Sequence, residues 1–275
     1  MSETLRRARP LMGTLVTIQI LLNHDVEPSQ RVMQQAFDLM AHIATVMSAH
    51  DPRSDLGRMS RAQSGEVLKL DPHTVKVIQA SQYWREKSAG AFNPACAGDR
   101  LVRQGVRPGL CGRQQGECDI RELHFLSDRE VQMPSPLSLD FGGIAKGYAV
   151  DQAANWLLQH GVDVALINAG GDLRVVGERP WPVDIVHTRG SLRDVSFNRP
   201  MRMGQGALAT SSTLKLETDF VQTLARQRRL WRSATVRARD CMTADALTKW
   251  ALQSSRLCPV LKSALREHRA QMWRS

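Results

Sequence analysis

Strand and helix periodicities intermix irregularly along this chain, and that irregularity limits the folds open to it more than any single motif. "GTLVTIQILL" (13–22) alternates and is rich in β-branched residues, which predicts a strand. Residues 28–47 repeat apolar side chains at helical spacing through Val32, Ala36, Leu39, Met40 and Ile43. A turn-rich connection, "MSAHDPRSDLGRMSRA", leads to a second predicted helix over 71–88. The glycine- and arginine-rich stretch from Gly90 to Asp119 reads as a long surface loop. Strand signals return in "ELHFL" and "EVQM", then in "VDVALINAGGDLRVVG", "WPVDIV" and "ALAT". "RQRRLWRSATVRARD" carries a further strand pattern among six arginines. Helices are predicted over 243–253, with Thr243 as N-cap, and from Pro259 onward as a basic C-terminal helix over 253–275. A parallel sheet would need strict strand–helix alternation, so the class is α+β.

One predicted helix starts against its own interest. "DFGGIAKGYAVD" (140–151) opens a helix that runs to about His160, with Ala149, Ala153, Trp156 and Leu157 on its apolar face and Gly161 as its stop. Glycine is the poorest ordinary helix former. A lysine in the first turn sits at the positive end of the helix dipole. Both choices make sense if unpaired amide groups, opened to close approach by glycine, join Lys146 in holding an anion, and phosphate is the usual occupant. A plain N-cap at Asp140 is the structural alternative. The glycine spacing fits neither a dinucleotide-binding fingerprint nor a P-loop. A second pair, Gly170-Gly171, is explained either by a tight turn or by backbone lining a flat ligand.

The chain has 275 residues, with 37 Lys+Arg against 27 Asp+Glu and a formal net charge of +10. That balance suits a polyanionic ligand or an acidic partner. Aromatic residues make up only 5%, and no helix-turn-helix, zinc-finger or ribonucleoprotein signature occurs, so nucleic acid is not an expected partner. No apolar run is long enough to span a membrane, and none following the N-terminal basic clusters suits a signal peptide. The five cysteines, Cys96, Cys111, Cys118, Cys241 and Cys258, are odd in number and widely spaced, which predicts reduced thiols and a cytoplasmic setting.

Seven segments stand in one order: "RPLMGTLVTIQI", "MSAHDPRSDL", "GAFNPA", "DFGGIAKGYAVDQAANWLLQHGV", "LINAGGDLRVVG", "ALATSS" and "TVRARDCMTADALTKWAL". Together, from Arg9 to about Leu252, they resemble the ApbE family of FAD:protein FMN transferases. The resemblance implies one domain over 1–275, with duplicated sheet-and-helix units forming two lobes and the ligand cleft between them. It also implies cleavage of the FAD diphosphate, transfer of FMN to a Ser or Thr hydroxyl of an acceptor protein, release of AMP and use of Mg²⁺. FAD contacts would fall to Met12, His50, Ala91, Phe92, Asn93, Asp140, Lys146, Gly170 and Gly171, with Asn93 replacing an acid. Asp245 and Lys146 would be catalytic, and the metal would lie at Asp245, the Gly143 carbonyl and Thr248. His50 and Asp172 are the candidate bases. The alternatives are a non-catalytic flavin- or nucleotide-binding module of the same fold, or an enzyme recruited to a specialised pathway.

Two departures from the family pattern stand out. The hydroxyl residue usual four positions after the metal-binding Asp is Lys249 here, with Thr248 one residue earlier. Asp245 and Lys249 are spaced for an i, i+4 pair on an exposed helix face; alternatively, the ammonium takes over part of the metal's charge role or binds phosphate. The family's His-x-x-Asp-Pro segment is also missing, and Arg226, Arg228, Arg229 and Arg232 occupy that neighbourhood, either as a solvated face or as a grip on the diphosphate.

Overall fold

The computed structural model describes residues 4–22, 26–97, 119–188, 195–212, 231–255 and 258–274. In chain order these form strands β1 (Thr4–Leu11) and β2 (Thr14–Leu21), helices α1 (Val26–Val46) and α2 (Asp55–Met59), β3 (Val67–Lys69), α3 (Pro72–Lys87), β4 (His124–Phe125) and β5 (Glu130–Gln132). There follow α4 (Ala145–Gln159), β6 (Ala165–Ala169), β7 (Asp172–Val176), β8 (Trp181–Thr188), β9 (Val195–Met203), β10 (Gly206–Ser212), β11 (Ser233–Ala238), α5 (Cys241–Gln253), α6 (Pro259–Glu267) and β12 (Gln271–Arg274). The chain divides into two compact units, the first with its described residues within 4–42, 146–212 and 231–274, the second within 43–97 and 119–145.

The first unit is built on a seven-stranded sheet in the order β1-β2-β6-β7-β10-β11-β12, antiparallel at every pairing. Its strands alternate between two buried environments. Leu166, Leu173, Val175 and Leu208 pack with Trp181, Val183 and Met203 of the β8–β9 hairpin. By the two-residue period of a strand, Asp172, Arg174, Ala209 and Ser211 point to the opposite face. Helix α5 packs there, along β10 and β11. The Gly170-Gly171 pair closes β6 onto β7 as a two-residue hairpin turn with φ of +67° and +102°, which only glycine adopts freely in succession. A side chain at Gly170 would also press to 3.0 Å from Thr14 Cβ.

The glycines of "DFGGIAKG" divide their work. Helix α4 starts at Ala145, not at Asp140, because Gly142 and Gly143 lie in a preceding turn. There Asp140 Oδ1 accepts from the Gly142 amide at 2.7 Å and the Phe141 carbonyl accepts from Ile144 and Ala145 at 2.9 and 2.8 Å. Gly147 is the glycine inside the helix, and its reason is packing: an added Cβ would lie 2.7 Å from the Cys241 carbonyl carbon and 2.8 Å from Met242 Cα. Gly147→Ala therefore forces α4 away from the start of α5. The expected loss is about 1–3 kcal/mol, read as a lower thermal midpoint of the purified variant. At its far end α4 is closed by Gly161 at φ +80°, with the Val162 amide returning to Leu157 O.

The second unit holds the small sheet β3-β5-β4 together with α2 and α3. The stretch expected to be a plain connection contains α2. Ser54 caps it by accepting from the Gly57 amide at 2.9 Å, and buried Asp55 ties it down by accepting from the Asp71 amide at 2.8 Å and pairing with Arg58 at 3.1 Å. Most of the long glycine- and arginine-rich loop, with Cys111 and Cys118, lies outside the described residues, as do Arg226, Arg228 and Arg229.

Three other expectations change. The N-cap of α5 is Asp240, whose side chain accepts from the Thr243 amide; Thr243 is inside the helix. The C-terminal segment is helical only to Glu267. Arg269, at φ +50°, turns the chain, and β12 pairs with β11 from Arg237↔Gln271 to Ala234↔Arg274. Trp156 is only half-buried and stacks on His160, so the buried face of α4 is Ala149, Val150, Ala153, Ala154 and Leu157.

Candidate active site

Four charged side chains converge in the first unit: Lys146 from the first turn of α4, Asp172 from the start of β7, and Asp245 and Lys249 from α5. The Lys146 ammonium donates to Asp172 Oδ2 and lies 3.9 Å from Asp245 Oδ2. The Lys249 ammonium donates to Asp245 Oδ1 at 3.1 Å and to Ser211 Oγ. The Gly147 amide reaches Asp245 Oδ2 at 3.4 Å. Two carboxylates and two ammoniums thus neutralise each other where neither carboxylate meets water, Asp245 being fully buried and Asp172 2% exposed. Of the four, only Lys146 keeps substantial access to solvent, at 26% of its side chain.

The hydroxyls beside this cluster form a directed chain. Thr248 donates to the Asp245 backbone carbonyl at 2.7 Å, and Ser211 Oγ lies 2.6 Å from Thr248 Oγ1. With one hydrogen on each hydroxyl, Ser211 accepts from Lys249 and donates to Thr248. Thr248 is therefore engaged with backbone and Ser211 rather than with the carboxylate.

The electrostatics follow from burial set against pairing. Burial works against the Lys146 ammonium, but the carboxylates of Asp172 and Asp245 outweigh it and hold the amine protonated above its ordinary range. Burial also opposes an ionised Asp245, yet Lys146, Lys249 and the Gly147 amide bring its carboxyl below the usual value. Asp172 moves the other way, because burial and the neighbouring Asp245 carboxylate exceed the help of the two lysines. The Cys241 thiol, buried at the start of α5 among Asp151, Asp172 and Asp245, is pushed well up and is no nucleophile.

Asp151 underlies the site. It accepts from the Cys241 and Met242 amides, both at 2.8 Å, and pairs with Arg174 of β7 at 2.9 Å. One carboxylate thus fastens the first turn of α5 to α4 and to the sheet. The sequence reading missed this role, and it missed Ser211. The only advance signal for Asp151 was an acid one helical turn beyond Gly147, which is too common to single out, and Ser211 left none.

The remaining expected residues fall in two places. Met12, half-buried at φ +53°, sits in the β1–β2 turn of the first unit; Thr14, two residues on, lies against the Gly170 turn. In the second unit the Asp140 amide donates to Pro94 O at 3.1 Å, which joins the Ala91-Phe92-Asn93 segment to the Asp140-Gly142-Gly143 turn. Within that segment the Phe92 side chain is 2% exposed and serves the core, while Ala91 and Asn93 are half-buried. Gly143 is buried and Gly142 exposed. His50 is exposed, with its amide donating to Ser48 Oγ. The Asp245–Lys249 pair forms as its spacing predicts, but inside the protein and not on an exposed helix face, because α5 is buried from Thr243 to Leu252. Among the described residues no group of three His, Cys, Asp or Glu side chains is arranged to hold a metal ion, and no helix is long and apolar enough to cross a membrane.

An antiparallel sheet whose helix-covered face carries a lysine–aspartate cluster defines an α+β protein. Known proteins narrow that class. A solved ApbE protein from Thermotoga maritima superposes with a TM-score of 0.78 at 22% identity, covering 99% of this chain and 94% of that one. A FAD:protein FMN transferase from Vibrio cholerae is 24% identical over 271 residues, 90% of this chain and 80% of its own length. One from Treponema pallidum is 26% identical over 185 residues, so that the match spans about half (51%) of that relative. The ApbE family model matches residues 12–255, and the chain belongs to the ApbE family.

Proposed function

We propose that this protein is an FAD:protein FMN transferase. In the proposed reaction a Ser or Thr hydroxyl of an acceptor protein attacks the FMN-side phosphorus of FAD, the bond to the bridging oxygen breaks, and AMP leaves with that oxygen. Such phosphoryl chemistry asks the protein mainly for positioning and charge neutralisation. The single observation that carries the reading is the partly exposed Lys146 ammonium, held by two buried carboxylates at the start of a helix. Asp172 and Asp245 keep it charged and aimed; an N–H not donated to Asp172 serves a diphosphate oxygen. The Met12 turn, Gly170, Gly171, Asp140, Ala91, Asn93 and His50 are the proposed flavin and adenine contacts. We treat residues 1–275 as one functional domain, since the first unit is assembled from chain segments on either side of the second. A cytoplasmic setting is supported by the unpaired thiols of Cys241 and Cys258.

Magnesium, which the family resemblance implies at Asp245, Gly143 and Thr248, does not fit the arrangement at Asp245. Both carboxylate oxygens already face ammonium groups, and the Thr248 hydroxyl is turned to the backbone and Ser211. No step is assigned to the metal. The transferase reading is checked by incubating the protein with FAD and a Thr-containing acceptor. Release of AMP together with an FMN mass adduct on the acceptor is the expected result. FAD that stays bound and intact, with no AMP, would instead indicate a flavin-binding module.

A further inference from the structure

We infer that the Lys249 ammonium is the built-in cation of this site, doing at Asp245 what a divalent ion would otherwise do, so that FAD binds and reacts without a metal. For turnover this rests on the transferase reading and for the choice of FAD on the family; for metal binding it stands on the geometry alone.

Three observations carry it. First, Asp245 has no free oxygen: Oδ1 accepts from Lys249 at 3.1 Å, and Oδ2 faces the Gly147 amide at 3.4 Å and Lys146 at 3.9 Å. Second, the cluster is already neutral, with two carboxylates against two ammoniums, so a divalent ion at Asp245 would add two charges beside the buried Lys249 ammonium and the partly exposed Lys146 ammonium. Third, the Lys249 ammonium has three donors and uses two, on Asp245 and Ser211. The third has no partner among the described residues, and a phosphate oxygen is the acceptor it lacks. Ser211 matters here as a positioning residue. It takes one N–H of Lys249 and is itself fixed by Thr248, so the ammonium is held in place beside the carboxylate instead of turning with the long lysine stem.

The experiment uses the full-length protein stripped with a chelator. FAD affinity is read by flavin fluorescence, with chelator and with Mg²⁺, and metal binding is read separately by electron paramagnetic resonance with Mn²⁺ as the probe. For the unaltered protein the FAD dissociation constant should differ less than about twofold between the two conditions, and Mn²⁺ should not be immobilised. Lys249→Thr should bind Mn²⁺, lose about 10-fold or more in FAD affinity in chelator, and regain it with Mg²⁺. Lys249→Met, which keeps the volume and has neither charge nor a hydroxyl, should lose affinity without rescue. An unaltered protein that needs Mg²⁺ to bind FAD, or that immobilises Mn²⁺ in a way abolished by Asp245→Asn, overturns the inference. The unaltered protein decides this even if both variants fail to fold. Metal-independent FAD binding without AMP release under any condition would remove the transferase reading and leave Lys249 as the cation.

Discussion

Lys146→Met should abolish FMN transfer, remove most of the FAD affinity and cost the fold about 3–5 kcal/mol, the range found when one partner of a buried ion pair is deleted. Among the described residues the lysine is the one cation that pairs with both Asp172 and Asp245. Without it Asp172 is left as a buried carboxylate beside a second one, with only Lys249 nearby to compensate. The pH dependence separates this cause from simple loss of packing. The Asp172 carboxyl is raised by burial and by Asp245, so the folded state takes up a proton at a pH where the unfolded chain does not. Stability of the variant should therefore rise as pH falls, until the unfolded value of about 3.9 is reached. In the unaltered protein Asp245, lowered by its lysines, pulls the other way and loses its contribution on acidification. Chemical denaturation from about pH 2 to about pH 8 reads both slopes, Asp172 above about pH 4 and Asp245 below it. A variant with full FAD affinity, or with no added stability in acid, would contradict this account of the cluster.

Asp151→Ala should be nearly as damaging, although Asp151 touches no reacting group. The substitution strips two amides in the first turn of α5 of their acceptor and leaves Arg174 unpaired at 18% exposure. A loss of about 3–5 kcal/mol is expected, read as a lower denaturation midpoint of the purified variant. Asp151→Asn keeps an acceptor oxygen and should lose less. It also isolates the charge. Burial pushes the Asp151 carboxyl up to about 6, against the pull of Arg174 and the two amides. A carboxyl raised in the folded state costs stability once it must ionise. The unaltered protein should thus lose stability as pH rises from about 4 to about 6 and level off above, and Asp151→Asn should flatten that segment. An identical slope in both proteins would place the titration elsewhere.

What could be read in advance divides along physical lines. Long periodic segments announced β2, α1, α3 and α4 because burial on one face leaves a pattern. β1 left none: its residues are largely exposed and rich in arginine, and it is a strand only because it pairs with β2 from Thr4↔Leu21 to Leu11↔Thr14. β12 was hidden behind a helical segment by its length of four residues. At the candidate site, Lys146 stands out by its place in the first turn of a helix, and Asp245 only through the family resemblance. The i, i+4 spacing revealed the Asp245–Lys249 pair but not its burial, since an α5 enclosed on nearly all sides looks amphipathic only by its two charges. Ser211 and Asp151 meet their partners across 38 and 90 residues, and no local pattern records such a contact.

Those long separations bear on how the molecule is made. Lys146 and Asp172 leave the ribosome well before Asp245 and Lys249, and the Gly147–Asp245 contact spans 98 residues. A nascent chain that stops short of Cys241 carries the Lys146–Asp172 pair but neither Asp245 nor Lys249, with the amide acceptor Asp151 waiting for a helix not yet made. Loops of that length must close before their contacts repay the entropy, so this closure should be slow. On the proposed function, FAD should be captured only once α5 has been made, and chaperone dependence should concentrate in that interval.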